Sequence, residues 1–296
     1  MGVVVTATGI SPYRSAGGII EREVRAARSC LRTAGIPGER VDVIVHLGIY
    51  RDHNLVEPAV AALVQNRLGI HLDHRAGSRP VFAFDLLNGA CGFLTAVHLA
   101  QGLLTGPEDR LLVVAGDGHP AQRPDRAFPY RAVGTAALLG LHDDPGTGFG
   151  PLRFQANHGA AAVGFLDLTT MGTGGRSNIT VRRTVPDIRL VDRAAEFVRA
   201  HLAADGLAPS AAALVSNEPF DGFAGLLATR AGIPHSGRVR AGGEGMLHSG
   251  ALILGHHRTT HDRQPGPRPS ATLFVAVDPG ASLGCATYRQ GFTARG

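Results

Sequence analysis

Cys91 is the residue whose setting in the sequence points most directly to chemistry. In residues 84–93, FDLLNGACGF, a strand-like run passes through a glycine turn, and Cys91 opens an apolar helix. Unpaired N–H groups and the helix dipole favour a thiolate there, so we expect a nucleophile of lowered pKa. Gly89 and Gly92 leave room for a substrate carbonyl and for backbone donors to its oxyanion. A small, inert, buried side chain is the alternative that the local pattern leaves open.

The composition excludes several other reaction centres. None of the 29 basic residues is Lys, which rules out Schiff-base chemistry, pyridoxal phosphate attachment and a P-loop. Three cysteines cannot build a disulfide framework. The net charge is +5, but the arginines are scattered, and with no Trp and four Tyr we do not expect nucleic-acid binding.

The same sequence predicts a cytoplasmic, globular protein. Hydrophobic residues make up 44% and charged residues 18%. No stretch approaches the roughly 18 apolar residues of a membrane span, and the first ten residues lack a basic signal-peptide region. We therefore expect no membrane association and a reducing compartment.

The elements that must position Cys91 follow from the hydrophobic pattern. Predicted strands cover 3–7, 41–47, 80–84, 110–115, 132–141, 152–156, 164–168, 179–181, 211–215, 271–277 and 284–288. Predicted helices cover 19–34, 56–68, 91–104, 188–204, 221–231 and 248–254. This alternation predicts an α/β fold with largely parallel sheets, built from two halves, 1–150 and 151–296.

The segments around Cys91, and their order along the chain, resemble ketoacyl-ACP synthase III. The matching stretches are 34–36, 41–45, 68–70, 82–93, 111–116, 133–139, 214–220, 232–233, 248–254 and 280–288. The resemblance implies the thiolase-like fold, two βαβαβαββ halves in α/β/α/β/α layers, and a homodimer. It also implies that Cys91 is the nucleophile.

The resemblance places two partners for Cys91, with the residue types exchanged. Asn217 stands where ketoacyl-ACP synthase III carries His, and His248 where that family carries Asn; thiolases have the order found here. We expect His248 to act as base and Asn217, with the Cys91 amide, to hold the oxyanion. Asp278 falls near the second cysteine of thiolases, and a turn residue before proline is its simpler interpretation. These roles imply an acyltransferase.

The implied acyltransferase loads Cys91 from an acyl-CoA or acyl-carrier-protein thioester, with acyl groups other than aminoacyl. Claisen condensation is the leading hypothesis, because carbon–carbon bond formation is the commonest outcome in the family resembled. The altered motif positions favour a role in secondary metabolism. Transfer to a hydroxyl or amine, and a non-catalytic partner subunit like a chain-length factor, are the alternatives. The thioester is a substrate, so no cofactor or metal is expected, and a heterodimer with a second ketosynthase-like subunit is also open.

Three further features have weaker interpretations. Arg22, Arg25 and Arg32 share one helix face and could dock an acidic carrier protein, although a solvated face is the simpler interpretation. The histidines His256, His257 and His261 are expected in a surface loop, not at a metal. The glycine-rich residues 172–175 are expected to form a loop over the mouth of the site.

Overall fold

The computed structural model describes residues 1–55, 57–73, 80–120, 128–156, 164–166, 179–181, 187–234, 246–261, 269–278 and 282–290. Its strands are β1 (Gly2–Ser11), β2 (Val43–His46), β3 (Phe82–Asp85), β4 (Leu111–Ala115), β5 (Gly134–His142), β6 (Gly148–Phe149), β7 (Arg153–Ala156), β8 (Gly164–Leu166), β9 (Ile179–Val181), β10 (Ala212–Ser216), β11 (Ala271–Val277) and β12 (Ser282–Arg289). Its α-helices are α1 (Ile19–Ala34), α2 (Val60–Leu68), α3 (Gly92–Leu103), α4 (Ile188–Ala204), α5 (Phe223–Ala231) and α6 (Ala251–His261).

Two five-stranded sheets form the frame. The first has the order β1-β5-β4-β2-β3, with β4, β2 and β3 parallel and β1 and β5 antiparallel to their neighbours. The second has the order β10-β11-β12-β6, with β7 also paired to β12, and β10–β11 is its parallel pair. The expectation of largely parallel sheets is therefore wrong. Strand β5 lies antiparallel between β1 and β4, and β12 lies antiparallel to β11, β6 and β7. Of these pairs only β11 and β12 are joined by a short connection.

Alternating side chains on the strands build the layers. In β2, Val43 and Val45 face a central core shared with α3, α6 and the second sheet, while Ile44 faces α1 and α2. Helices α4 and α5 cover the other face of the second sheet. Helices α1 and α2 thus form one outer layer, α3 and α6 lie between the two sheets, and α4 and α5 form the other outer layer. The predicted α/β/α/β/α architecture is confirmed.

The predicted elements differ from the observed ones mainly near their ends. Helix α6 begins at Ala251, so His248 lies in the turn before it, and the helix continues to His261 instead of ending at residue 254. The predicted surface loop for His256, His257 and His261 is therefore wrong. Residue 56 and residues 172–175 lie outside the described residues.

Candidate active site

The turn Gly89–Cys91, called the nucleophile turn after the role predicted for Cys91, places that residue between the two sheets. Strand β3 ends at Asp85, a 3₁₀ turn covers Gly89–Cys91, and α3 starts at the next residue. The side chain of Cys91 is fully buried. Its Sγ accepts a hydrogen bond from Ser282 Oγ at 3.2 Å. The predicted strand–turn–helix setting is confirmed, and a hydroxyl that the sequence did not single out contacts the sulfur.

The expected low pKa of Cys91 is wrong. Burial raises the pKa of the thiol to about 12, and the charge of Asp278 adds to the rise, while the Ser282 hydrogen bond opposes it. Desolvation of a buried anion outweighs the favourable end of a helix. The thiol is therefore neutral at pH 7, and a nearby group must remove its proton during reaction.

His248 lies between two carboxylates. Its Nε2 is 3.6 Å from Asp278 Oδ2, and its Nδ1 is 3.9 Å from Asp117 Oδ1. Burial disfavours the charged imidazolium, but the close carboxylate of Asp278 and the charge of Asp117 outweigh it, so the pKa of His248 is raised. This setting makes His248 a stronger proton acceptor than an isolated imidazole.

Asp117 fixes the position of His248 through its neighbour in the chain. Its buried carboxylate accepts hydrogen bonds from the Ser249 amide at 2.7 Å and the Ser249 hydroxyl at 3.1 Å. The same carboxylate accepts from the amides of Ile49 and Tyr50, each at 3.2 Å. Asp117 thus joins the turn after β2 to the turn before α6, a role that the sequence analysis missed. Its position just after the buried strand β4 was the available signal.

The nucleophile turn, Asp278 and His248 converge at Gly89. A Cβ on Gly89 would overlap Asp278 Oδ2 and lie 3.5 Å from His248 Cε1. Gly89 also has φ +50°, in the left-handed region. Glycine is therefore required here both by the backbone and by the space that Asp278 occupies. Asp278 therefore lies against the nucleophile turn and His248, which its interpretation as a simple turn residue did not predict.

Asn217 is placed differently from its expected oxyanion role. Its Nδ2 donates to the Val277 carbonyl and its Oδ1 accepts from the Val277 amide, both at 2.8 Å. These two bonds tie the end of β10 to the end of β11, one residue before Asp278. The Cys91 amide, the other expected oxyanion donor, donates to the Asn88 carbonyl at 3.0 Å. Asn217 thus holds the backbone next to Asp278, and its oxyanion role stays a prediction.

Two buried tyrosines line the other side of His248. The ring of Tyr130 lies 5.0 Å from the imidazole and that of Tyr50 lies 5.7 Å from it, and the two tyrosines stack at 5.3 Å. The faces of aromatic rings at these distances attract a cation and so stabilise an imidazolium. Neither tyrosine was singled out from the sequence, because nothing in the pattern placed residues 50 and 130 together.

The other predicted residues lie away from this centre. Arg22 donates to the carbonyls of Pro12, Gly17 and Ala132, and Arg25 donates to Ser11 and Ala16, so both hold the segment before α1. Arg32 is exposed. His256 is buried beside the rings of Phe274 and Tyr288, and burial lowers its pKa to about 4. Carrier docking on this helix face stays a prediction.

The chain is similar in sequence to curated proteins of one kind. No family model matches the chain. It is 29% identical over 201 residues to the beta-ketoacyl-[acyl-carrier-protein] synthase III of Rhodospirillum centenum, covering 62% of this chain and 57% of that one. It is 28% identical over 175 residues to synthase III 1 of Bacillus anthracis, covering 58% and 50%. The chain thus spans about half the length of the curated relatives it matches.

The crystal structure of 3-oxoacyl-[acyl-carrier-protein] synthase III from Aquifex aeolicus superposes with a TM-score of 0.77 at 17% identity, covering 97% of this chain and 100% of that one. The chain has the thiolase fold. The predicted resemblance to ketoacyl-ACP synthase III is confirmed, in sequence by the curated relatives and in architecture by this thiolase-fold structure. Within the described part of the chain, no helix has the length and apolar character to cross a membrane.

Proposed function

We propose that the chain is an acyltransferase that loads an acyl group from an acyl-CoA or acyl-carrier-protein thioester onto Cys91 and passes it to an acceptor. The convergence of Cys91, His248 and Asp278 around Gly89 carries this proposal. A buried thiol of high pKa needs a neighbouring base, and an imidazole between two carboxylates can supply one. The resemblance to ketoacyl-ACP synthase III supports the same class of reaction.

The loading step uses these groups in order. His248 accepts the Cys91 proton as Sγ forms a bond to the thioester carbonyl carbon. The negative charges of Asp278 and Asp117 stabilise the imidazolium formed. The tetrahedral intermediate then collapses, its bond to the donor sulfur breaks, and His248 returns the proton to the leaving thiol. The acyl group stays on Cys91 as a new thioester.

The acceptor step that the relatives favour is Claisen condensation. In that reaction a malonyl thioester loses carbon dioxide, and the resulting carbanion attacks the acyl carbon on Cys91. A carbon–carbon bond forms and the Cys91 thiolate leaves, giving a 3-oxoacyl product. Both curated relatives are named as beta-ketoacyl synthases. The altered motif positions support a role in secondary metabolism.

Asp278 favours a second candidate, transfer to a hydroxyl or amine. An ionised carboxylate beside His248 disfavours a thioester enolate, which needs neutral or positive donors. The same carboxylate strengthens His248 as a base that could take a proton from an attacking hydroxyl or ammonium group. The bond to Cys91 would then break as an ester or amide bond forms, without loss of carbon dioxide.

The proposed partners are an acyl carrier protein or CoA, whose phosphopantetheine thioester is the substrate, and a second copy of the chain. Strand β3 is an edge of the first sheet. On this strand Phe82 is 58% exposed, and just after it Leu87 is 56% exposed. Among the described residues no further strand pairs with β3, and an apolar edge of this kind is suited to pairing with another strand. A homodimer and a cytoplasmic location are part of this proposal, and sedimentation of the purified protein tests the former.

Acceptor preference is tested by single turnover. Protein acylated on Cys91 is mixed with a malonyl thioester or with a panel of alcohols and amines, and products and carbon dioxide are measured. Claisen condensation releases one carbon dioxide per 3-oxoacyl product, whereas the second candidate gives an ester or amide and none. Failure to form any acyl-Cys91 protein with CoA and carrier thioesters would contradict the acyltransferase proposal and favour a non-catalytic partner subunit.

A further inference from the structure

A chain of buried charged groups lies behind the candidate active site. Glu23 of α1 has a fully buried carboxylate whose Oε1 is 3.2 Å from His46 Nε2. His46 Nδ1 is 3.5 Å from Asp85 Oδ1, and Asp85 Oδ2 is 2.9 Å from Arg51 Nη2. Charges alternate along this chain, which offsets part of the cost of burying them. None of these four groups takes part in the proposed acyl transfer.

Asp85 connects this chain to the segment that leads into the nucleophile turn. Asp85 is the last residue of β3, six residues before Cys91, and β2 pairs with β3 so that His46 lies opposite Asp85. Asp85 also accepts hydrogen bonds from the Val60 and Ala61 amides at 3.0 and 2.8 Å, at the start of α2. His46 therefore contributes to the placement of the segment that leads to Cys91.

His46 is linked to the surroundings of His248 through the turn after β2. The Gly48 amide nitrogen lies 3.2 Å from His46 Nε2, and the next two amides along the chain bind Asp117. Asp117 holds Ser249 and lies beside His248. A Cβ on Gly48 would overlap His46, so this turn packs directly on the imidazole. One histidine thus contacts the strand that leads to Cys91 and the turn whose amides bind Asp117, and Asp117 in turn lies beside His248.

We propose that Glu23 and His46 are positioning residues for the active site, setting the placement of Cys91 through Asp85 and of His248 through the Gly48–Asp117 connection. This inference rests on the proposed function for its catalytic meaning. The structural link itself, from His46 to the environment of Cys91, can be tested without any acyl substrate.

The charge state of His46 gives the test its signal. Burial disfavours its charged form, but the Glu23 carboxylate and Asp85 outweigh this and raise the pKa of His46 to about 9. Burial raises the pKa of Glu23, the nearby charge of His46 opposes that rise, and the charges of Asp117 and Asp52 add to it. Asp85 is further paired with Arg51. Removing the Glu23 charge therefore lowers the pKa of His46.

The experiment follows alkylation of Cys91 by iodoacetamide from about pH 6 to about pH 11, with modification at that peptide measured by mass. Four proteins are compared: the unaltered chain, Glu23→Gln, His46→Gln and Asp205→Asn. Asp205 is the matched control, because it is a buried carboxylate 3.5 Å from a buried histidine, His201, in the other half. Circular dichroism and thermal unfolding establish that each variant is folded.

We expect the logarithm of the alkylation rate to rise with pH, with a break near pH 9 where His46 loses its charge. The break should move down by about one pH unit or more in Glu23→Gln, vanish in His46→Gln, and stay in place in Asp205→Asn. NMR titration of the His46 ring checks that its ionisation follows the same shift. Coinciding profiles for the unaltered chain and Glu23→Gln, with His46 ionisation shifted, would overturn the proposal. Failure of acyl transfer alone would not, since alkylation requires no thioester.

Discussion

His248 Nε2 lies 3.6 Å from Asp278 Oδ2, and Asp278 follows the residue that Asn217 holds by two backbone hydrogen bonds. Asn217 and His248, the two residues that the sequence motifs single out, therefore both lie close to Asp278: Asn217 binds the residue before it, and His248 lies beside its carboxylate. Asn217 fixes where Asp278 lies, and Asp278 raises the pKa of His248. The proton affinity of the proposed base depends on this arrangement.

Asp278→Asn should shift the pH dependence of Cys91 acylation to lower pH. In the unaltered chain the raised pKa keeps His248 protonated above its usual value near 6.5, so the base form appears at higher pH. Loss of the Asp278 charge lowers that pKa, so the acylation rate should rise at lower pH. Quenched acylation assays at a series of pH values measure where the rate rises. Asp143→Asn, at an exposed carboxylate, is the control, and an unshifted pH dependence in Asp278→Asn would contradict this coupling.

His248→Ala should slow acylation of Cys91 by roughly 10²–10⁴-fold, the usual loss on removing a general base. The matched change His142→Ala alters an exposed histidine and should leave the rate unchanged. Single-turnover rates with a saturating acyl-CoA or acyl-carrier thioester separate this effect from binding. A rate within a factor of two of the unaltered chain would remove His248 from the mechanism.

Gly89→Ala should abolish acylation with a moderate loss of stability. The new Cβ would overlap Asp278 and approach His248, so the carboxylate must move. Gly35→Ala is the matched control, because Gly35 also has a positive φ (+67°) but nothing lies within 4 Å of its Cβ position. In both variants an alanine in the left-handed conformation lowers the free energy of unfolding by about 1–2 kcal/mol. Only Gly89→Ala should lose acylation. Equal acylation rates in the two would contradict the geometry described for the site.

Asn217→Ala should lower the free energy of unfolding by about 1–3 kcal/mol, because the buried Val277 amide and carbonyl lose their partner. Urea titration measures the change. Asn66→Ala, at an exposed position on α2, should change stability by less than about 0.5 kcal/mol. If Asn217→Ala slowed acylation while stability stayed unchanged, the oxyanion role first expected for Asn217 would be favoured over positioning.

The parts of the fold that depend on local sequence were predictable. Helices α1 and α4 have the predicted bounds, because their apolar residues recur at helical spacing and a glycine follows the end of α1. The turn before Cys91 was likewise visible as a strand, a glycine and a helix in succession. The position of His248 followed from the motif order. These features need no knowledge of what packs against them.

The remaining features depend on contacts between distant segments. The pKa of Cys91 is set by the ends of β11 and β12, which bury it and bring in Ser282 and Asp278. Asp117 gained its role because the turns after β2 and before α6 meet there. Helix α6 continues through His256 because the Phe274 and Tyr288 rings cover that histidine. Sequence spacing alone carries none of this information.

The central claim is that the buried Cys91 sulfur accepts an acyl group, and intact mass spectrometry tests it most directly. The purified chain is incubated with a panel of acyl-CoA and acyl-carrier thioesters beside Cys91→Ala and Cys285→Ala, since Cys285 is also fully buried. We expect one acyl adduct on the unaltered chain and on Cys285→Ala, mapped to the Cys91 peptide, and none on Cys91→Ala. Absence of an adduct with every donor, or an adduct that persists in Cys91→Ala, would contradict the account.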